Sequence, residues 1–341
     1  MTWQDNLTPE QQQAVSSTGV HARLLAGPGT GKTLVLTRRI LYLVHDIGVT
    51  ASDILTLTFT RAAAAELRRR ITNEFGNGAM PHISTLHSYA LSLILQRGAR
   101  GKLPTPIRIA DDFEERFIIE EDLKHIMGLS RVTEARELLN QLSADWERLI
   151  ADADGYRAPN PQFHGAWQEH RQIFGYTLRA ELVYQLKHAL EEGIVGIEQK
   201  PKHIVVDEYQ DLDPCDLAVS KGLTEHGAEL YVAGDDDQSI YGFRYADPEG
   251  IRRFDKDYTP SVSLDLKECK RCGSQILALA NYVANQDPRR LPKTIAPAAE
   301  VPSGEVHILN FANQSREADA IAHICQWLVT EQNIQPEQIL I

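Results

Sequence analysis

Short apolar runs bounded by turn residues alternate along this chain with longer stretches whose apolar positions recur every three or four residues. Ala22 to Ala26 is small and apolar, as a buried parallel strand requires. After a glycine turn, Leu34, Val35, Leu36, Ile40, Leu41 and Leu43 return near helical spacing. Ile204-Val205-Val206 is β-branched and reads as a central parallel strand, and Tyr231-Val232-Ala233 reads as another short one. Between the glycine turn and Ile204, Phe113 to Ile126 and Arg179 to Leu190 carry helical periods. Later, Val306-His307-Ile308-Leu309 predicts a strand, Glu317 to Glu331 a helix, and Gln338-Ile339-Leu340-Ile341 a strand entering a sheet. Strands alternating with helices predict an α/β fold with a parallel sheet.

The glycine turn carries the most specific chemistry. Ala26-Gly27-Pro28-Gly29-Thr30-Gly31-Lys32-Thr33 is a phosphate loop between strand and helix, with Ala26 where the strict pattern has glycine. Its glycines let backbone N–H groups turn inward around phosphate oxygens, and the helix N-terminus adds partial positive charge. Lys32 then reaches the β- and γ-phosphates, and Thr33 offers a hydroxyl to magnesium. A second strand delivers Asp207-Glu208-Tyr209-Gln210-Asp211 at its carboxyl end, where ligands bind in open α/β sheets. Asp207 is placed to hold magnesium and Glu208 to orient and deprotonate an attacking water, so hydrolysis fits better than transfer to a second substrate. The third cluster runs from Gly234 to Arg244. There Gln238 can touch a γ-phosphate, while Tyr241 and Phe243 can stack bases.

Composition narrows the setting. The chain has 341 residues, 43% of them hydrophobic, and lacks an apolar run long enough to cross a bilayer, which predicts a soluble protein of about two or three domains. Met1-Thr2-Trp3-Gln4-Asp5 has neither the basic nor the apolar part of a secretion signal, making the cytoplasm the expected compartment. A formal net charge of −12 argues against coating nucleic acid by bulk attraction, so nucleic-acid contacts must be local. Arginines cluster at Arg38-Arg39, Arg61, Arg68-Arg69-Arg70 and Arg252-Arg253, although such clusters also serve as plain solvated helix faces. The four cysteines are too scattered for a disulfide framework. Cys269-Lys270-Arg271-Cys272 has CxxC spacing but lacks the second ligand pair that zinc needs.

Taken in order, these segments resemble the UvrD/Rep-like DNA helicases of superfamily 1. The Q-motif is Leu7 to Val15, motif I Ala26 to Thr33, motif Ia Leu57 to Leu67 and motif Ib Ile83 to Ser88. Motif II is Val206 to Asp211, motif III Gly234 to Arg244, and a looser motif IV runs from Leu266 to Cys272 and on through Gln275 to Asn281. The resemblance implies that Gln11 reads the adenine edge, that Gln238 bridges nucleotide and DNA sites, and that Arg271 is an arginine finger from a second motor domain. It further implies that Phe59, Thr85, His87, Tyr241, Phe243 and Arg244 line a single-strand groove. ATP and magnesium are the expected cofactors, and single-stranded DNA or single/double-strand junctions the expected partners. In the family, translocation runs 3′ to 5′. The chain departs from the pattern at Leu34 and Lys270, where the family customarily has adenine-stacking side chains, and at Arg61-Ala62, where it has Asn-Lys.

The same resemblance divides the chain. Residues 1–102 and 199–260 are expected to form a RecA-like P-loop NTPase domain, 103–198 a helical 1B insertion, and 261–341 the start of a second RecA-like domain. Gly101 to Pro106 and Gly193 to Pro201 are the expected crossing linkers, because Pro and Gly interrupt helix there. Motifs V and VI are absent from these residues, which predicts slow ATP turnover and an apolar surface suited to the carboxy-terminal helicase portion or to repair proteins. Two other classes stay open: a nucleotide-switched DNA- or protein-binding module, and a small-molecule kinase, the latter disfavoured because no acceptor lid is recognisable.

Overall fold

The computed structural model describes residues 2–75, 78–97, 103–156, 158, 160–195, 201–225 and 227–341. Six strands, β1 (His21–Ala26), β2 (Ile54–Leu57), β3 (His82–Ser84), β4 (His203–Val206), β5 (Glu229–Gly234) and β6 (Ser261–Leu266), form one parallel sheet in the order β3-β2-β4-β5-β1-β6. Successive residues of a strand face opposite sides, and both sides here are apolar. Ala22, Leu24 and Ala26 of β1, Val205 of β4, and Tyr231 and Ala233 of β5 pack with Ala14 and Val15 of α1 (Pro9–Ser16) and Val35 and Leu36 of α2 (Lys32–His45). The alternate residues Leu25, Ile204, Val206, Leu230 and Val232 build the other side. That side is covered by α4 (Leu86–Arg97), while α3 (Arg61–Phe75) packs beside α2 through Leu67, Ile71 and Ile40.

The insertion is helical, as its periodicity predicts. A short α5 (Asp112–Glu114) continues through a π turn at Glu115–Ile119 into α6 (Glu120–Met127), followed by α7 (Val132–Glu147), α8 (Pro161–Phe174) and α9 (Arg179–Glu191). Leu123, Leu139, Leu142, Trp146, Phe163 and Trp167 give it a core of its own. However, Leu182, Leu186 and Leu190 of α9 pack into the core beneath the sheet, next to α10 (Pro214–Thr224). The two units thus share α9, and the division expected near residue 198 falls after a helix already committed to the sheet. Of the expected linkers, residues 101–102 and 196–200 lie outside the described residues.

The boundary expected at Ser261 also moves. After α11 (Glu249–Arg252) and α12 (Phe254–Asp257), β6 pairs with β1 from His21↔Ser261 to Ala26↔Leu266 and completes the first sheet. Leu264 and Leu266 face the α1/α2 side, and the alternating burial of β6 is that of an edge strand. Only then comes a smaller unit, in which β7 (Glu268–Cys269) pairs with β8 (Ala296–Pro297) around α13 (Ser274–Ala284). Beyond it α14 (Gln314–Thr330) forms as predicted, with none of its residues buried. Val306 to Leu309 is exposed and forms no strand, and Gln338 closes a 3₁₀ turn (Pro336–Gln338) that leads into irregular chain. Among the described residues neither segment has a neighbouring strand to pair with, and an isolated strand gains too little to form.

Buried acidic residues crowd together where α10 meets α7. The Asp213 carboxylate caps α10 by accepting from the Asp216 N–H at 2.8 Å. Burial pushes the Asp213 pKa up to about 7, and burial together with Asp213 pushes Glu147 of α7 up to about 7 as well. Asp216, wholly enclosed beside Asp213, is raised too. The folded chain therefore binds more protons than the unfolded chain between the ordinary aspartate value of 3.8 and about 7, so stability falls as pH rises through that window. Asp213→Asn keeps a competent cap and removes one titration. Its urea midpoint should fall less than the parent's between about pH 5 and about pH 8; parallel slopes would refute the assignment.

Candidate nucleotide and nucleic-acid site

The phosphate loop leaves β1 at Ala26 and enters α2 at Lys32. Gly29 and Gly31 take φ of +68° and +91°, a left-handed region that a side chain strains. Thr30 Oγ1 donates to the Gly27 carbonyl at 2.8 Å and closes the turn. Gln11, buried in α1, donates from Nε2 to the Thr30 carbonyl at 3.0 Å and accepts from the Thr8 N–H at 3.1 Å. Both ends of its amide are therefore engaged within the protein, bracing the loop from behind.

The sheet order sets what the loop faces. β5 lies between β1 and β4, so the loops after all three open at one edge. There the Lys32 ammonium lies between the carboxylates of Asp207, at 3.3 Å, and Glu208, in direct contact. Burial alone would lower the Lys32 pKa, but the two carboxylates outweigh it and raise it. Burial raises Asp207 against the pull of Lys32. At Glu208 burial is overcome by Lys32 and by the Gln210 amide, which hold the carboxyl below its ordinary value. Glu208 has a φ of +53°, which turns the chain sharply out of β4. Gln210 Nε2 donates to Glu208 at 2.9 Å, and its Oε1 accepts from the Asp235 N–H at 3.0 Å. Gln238 in turn donates to Asp235 at 2.6 Å, so hydrogen bonds run unbroken from Glu208 to Gln238.

The smaller unit docks onto this edge. The Lys270 N–H donates to the Gly29 carbonyl at 2.9 Å. A Cβ on Gly29 would fall 2.4 Å from Arg271 Cβ, and one on Gly27 would fall 1.8 Å from Ile295 Cδ1. Arg271 thus lies beside the phosphate loop with its side chain exposed. Asp235, Asp236 and Asp237 come close enough to suggest a cation site, yet the buried Lys293 ammonium already contacts all three. Arg290 pairs with Asp237 at 2.6 Å and Arg252 with Asp236 at 3.0 Å. Lys293 carries no motif signature; the one hint is that three consecutive aspartates require a counter-charge.

Phe59, Tyr241, Phe243 and Arg244 form one cluster. Ring centroids are 4.9 Å apart for Phe59 and Tyr241 and 5.9 Å for Tyr241 and Phe243, and the Arg244 guanidinium lies 5.3 Å above the Phe59 ring. Phe243 is 76% exposed. Thr85 differs from expectation: it is buried, and its hydroxyl bonds Ser88 at 3.0 Å at the start of α4. Burial first, then the nearby Arg244, Arg179 and Arg61, push the His87 pKa down to about 4, leaving it neutral at physiological pH. Arg179 comes from the helical insertion and was not foreseen. One arginine cluster drops out of the surface: Arg38 pairs with Glu74 at 3.2 Å, and Arg39 is 1% exposed, pairs with Glu229 at 2.5 Å and stacks 4.0 Å over Tyr231.

The family model of the UvrD/REP helicase N-terminal domain matches residues 7–259. The chain belongs to this family. It is similar to the ATP-dependent DNA helicase PcrA of Staphylococcus aureus, 28% identical over 328 residues covering 93% of this chain and 45% of the relative. The PcrA of Staphylococcus epidermidis is 30% identical over 300 residues, covering 84% of this chain and 41% of the relative. The chain spans about half the length of the curated relatives it matches. No helix among the described residues of this UvrD/REP family member is long and apolar enough to cross a membrane.

The docking of the smaller unit depends on Gly29 lacking a side chain. Gly29→Ala combines an unfavourable φ with the 2.4 Å approach of Arg271 Cβ, and should cost about 1–3 kcal/mol of stability in urea titration. An unchanged midpoint would show that this contact does not persist in solution.

Proposed function

We propose that these residues form the ATP- and single-stranded-DNA-binding part of a cytoplasmic DNA translocase of the UvrD/Rep type that moves 3′ to 5′ and hydrolyses ATP. The observation that carries this reading is the meeting of Lys32 with Asp207 and Glu208 at one sheet edge. Thr33 and Asp207 offer the hard oxygen donors that magnesium prefers. Bound there with the triphosphate, magnesium would offset charge on the transferring phosphoryl group. Lys32 exchanges its carboxylate partners for the β- and γ-phosphates, which frees Glu208. Held ionised at neutral pH, Glu208 then accepts a proton from the attacking water. Gln238 reports the change along its hydrogen-bonded path, and Arg271 approaches the phosphates from the smaller unit. Phe59, Tyr241 and Phe243 stack bases, while Arg244, Arg61 and Arg179 meet backbone phosphates beside neutral His87. With Leu34 and Lys270 in place of stacking groups, adenine selectivity is modest. Single/double-strand junctions and repair proteins are the partners this reading names.

Measurement of DNA-stimulated ATP hydrolysis tests the proposal. Glu208→Gln should retain ATP while turnover falls on the order of 10²–10⁴-fold, and Lys32→Ala should lose ATP binding. If Glu208→Gln instead leaves turnover and DNA binding as they were, the nucleotide-switch reading replaces the motor. Phe59→Ala and Tyr241→Ala should each weaken binding of an oligothymidylate by about 1–3 kcal/mol in fluorescence anisotropy. No change in either variant would remove the aromatic cluster from the groove.

A further inference from the structure

In the segment Cys269-Lys270-Arg271-Cys272, the two cysteines have no part in the proposed function. All four cysteines are free thiols. Cys269 is fully buried with Leu277 and Ile295, and half-buried Cys272 packs against the same cluster. The Cys272 N–H donates to Cys269 Sγ at 3.3 Å, so the turn folds the two residues onto one another just before α13. The other side of Cys269 touches the phosphate loop, its Sγ lying 3.1 Å from where a Cβ on Gly29 would stand. Lys270 and Arg271, between the cysteines, make the remaining contacts to Gly29.

We propose that Cys269 and Cys272 are a dithiol–disulfide couple whose oxidation repositions the Lys270-Arg271 turn against the phosphate loop. The oxidant class is a low-molecular-weight disulfide. The accessible Cys272 thiolate attacks one of its sulfurs, forming a mixed disulfide and expelling one thiolate. Cys269, as thiolate, then attacks the Cys272 sulfur and expels the second. Two cysteine thiols are oxidised, one small disulfide is reduced to two thiols, and the two cysteine protons end on those thiols. Burial and Cys269 raise the Cys272 pKa, so the reaction quickens as pH rises. The loop that carries Arg271 is also the loop that closes, so its contact with Gly29 cannot survive unchanged.

The test incubates the full chain with glutathione disulfide, blocks residual thiols with N-ethylmaleimide in denaturant, and maps disulfides by mass spectrometry after trypsin. The expected product joins the Cys269 and Cys272 peptides, with Cys215 and Cys325 alkylated, and dithiothreitol reverses it. Alkylation at both positions, or a lasting glutathione adduct on Cys272, overturns the couple. Its consequence rests on the proposed ATP site: turnover should fall on the order of 10²-fold in the oxidised chain, the cost of shifting a catalytic group by about 1 Å. Cys272→Ser should hold turnover constant across the same treatment. Equal turnover of oxidised and reduced chain refutes the coupling. A reduced chain without any turnover indicts the ATPase reading alone, since the disulfide map does not depend on it.

Discussion

An ammonium group held between two carboxylates governs the edge of this sheet. Burying Lys32 without partners would cost several kcal/mol, and burying Asp207 without a cation would cost as much. Each makes the other tolerable, but only because β1 and β4 are parallel and separated by the single strand β5. The sharp turn at Glu208 follows from the same demand, since an extended chain would carry its carboxylate past the lysine. In the proposed function a triphosphate, being anionic, competes for the same ammonium. The contact is thus a structural pair and an exchangeable one at once.

The three aspartates after β5 show the same principle with different partners. Their counter-charges, Lys293, Arg290 and Arg252, come from beyond β6 and from α11, so neutralising one turn ties the smaller unit to the sheet. Gly27 and Gly29 contribute sterically. In the sequence they read as a cradle for phosphate, and they also admit Ile295 and Arg271 where any Cβ would intrude. One pair of positions therefore satisfies two constraints, which makes the loop sensitive to whatever docks against it.

Legibility followed sequence distance. The strand-turn-helix around Lys32 is local, and so is the β-branched run that delivers Asp207; both were readable from periodicity and turn chemistry. The partnership of β6 with β1 was not, because the alternation Ser261 to Leu266 says that one face is buried without saying against which sheet. Arg39 misled for the same reason: its carboxylate partner lies 190 positions away, so a guanidinium locked into the core read like one on a surface. Lys293 had no local pattern, and the helical period that begins at Arg179 says nothing of what its guanidinium faces. Their roles exist only once the insertion and the smaller unit are folded against the sheet.

Distance along the chain also explains how two ligands could sense one another here. Gln238 and the aromatic rings of Tyr241 and Phe243 belong to the same turn after β5, and Ser239 Oγ donates to the Gln210 carbonyl at 3.1 Å, fastening that turn to the one after β4. A path between sites carries coupling only if some element along it has two arrangements that both ligands bias. In the proposed function that element is Lys32, which either pairs with Glu208 or binds phosphate. Glu208 also accepts from Gln210, so the exchange alters the charge at one end of a hydrogen-bonded path whose other end abuts the aromatic cluster. No long-range rearrangement is needed for the first step. It is enough that a fixed amide chain loses or regains one charged partner.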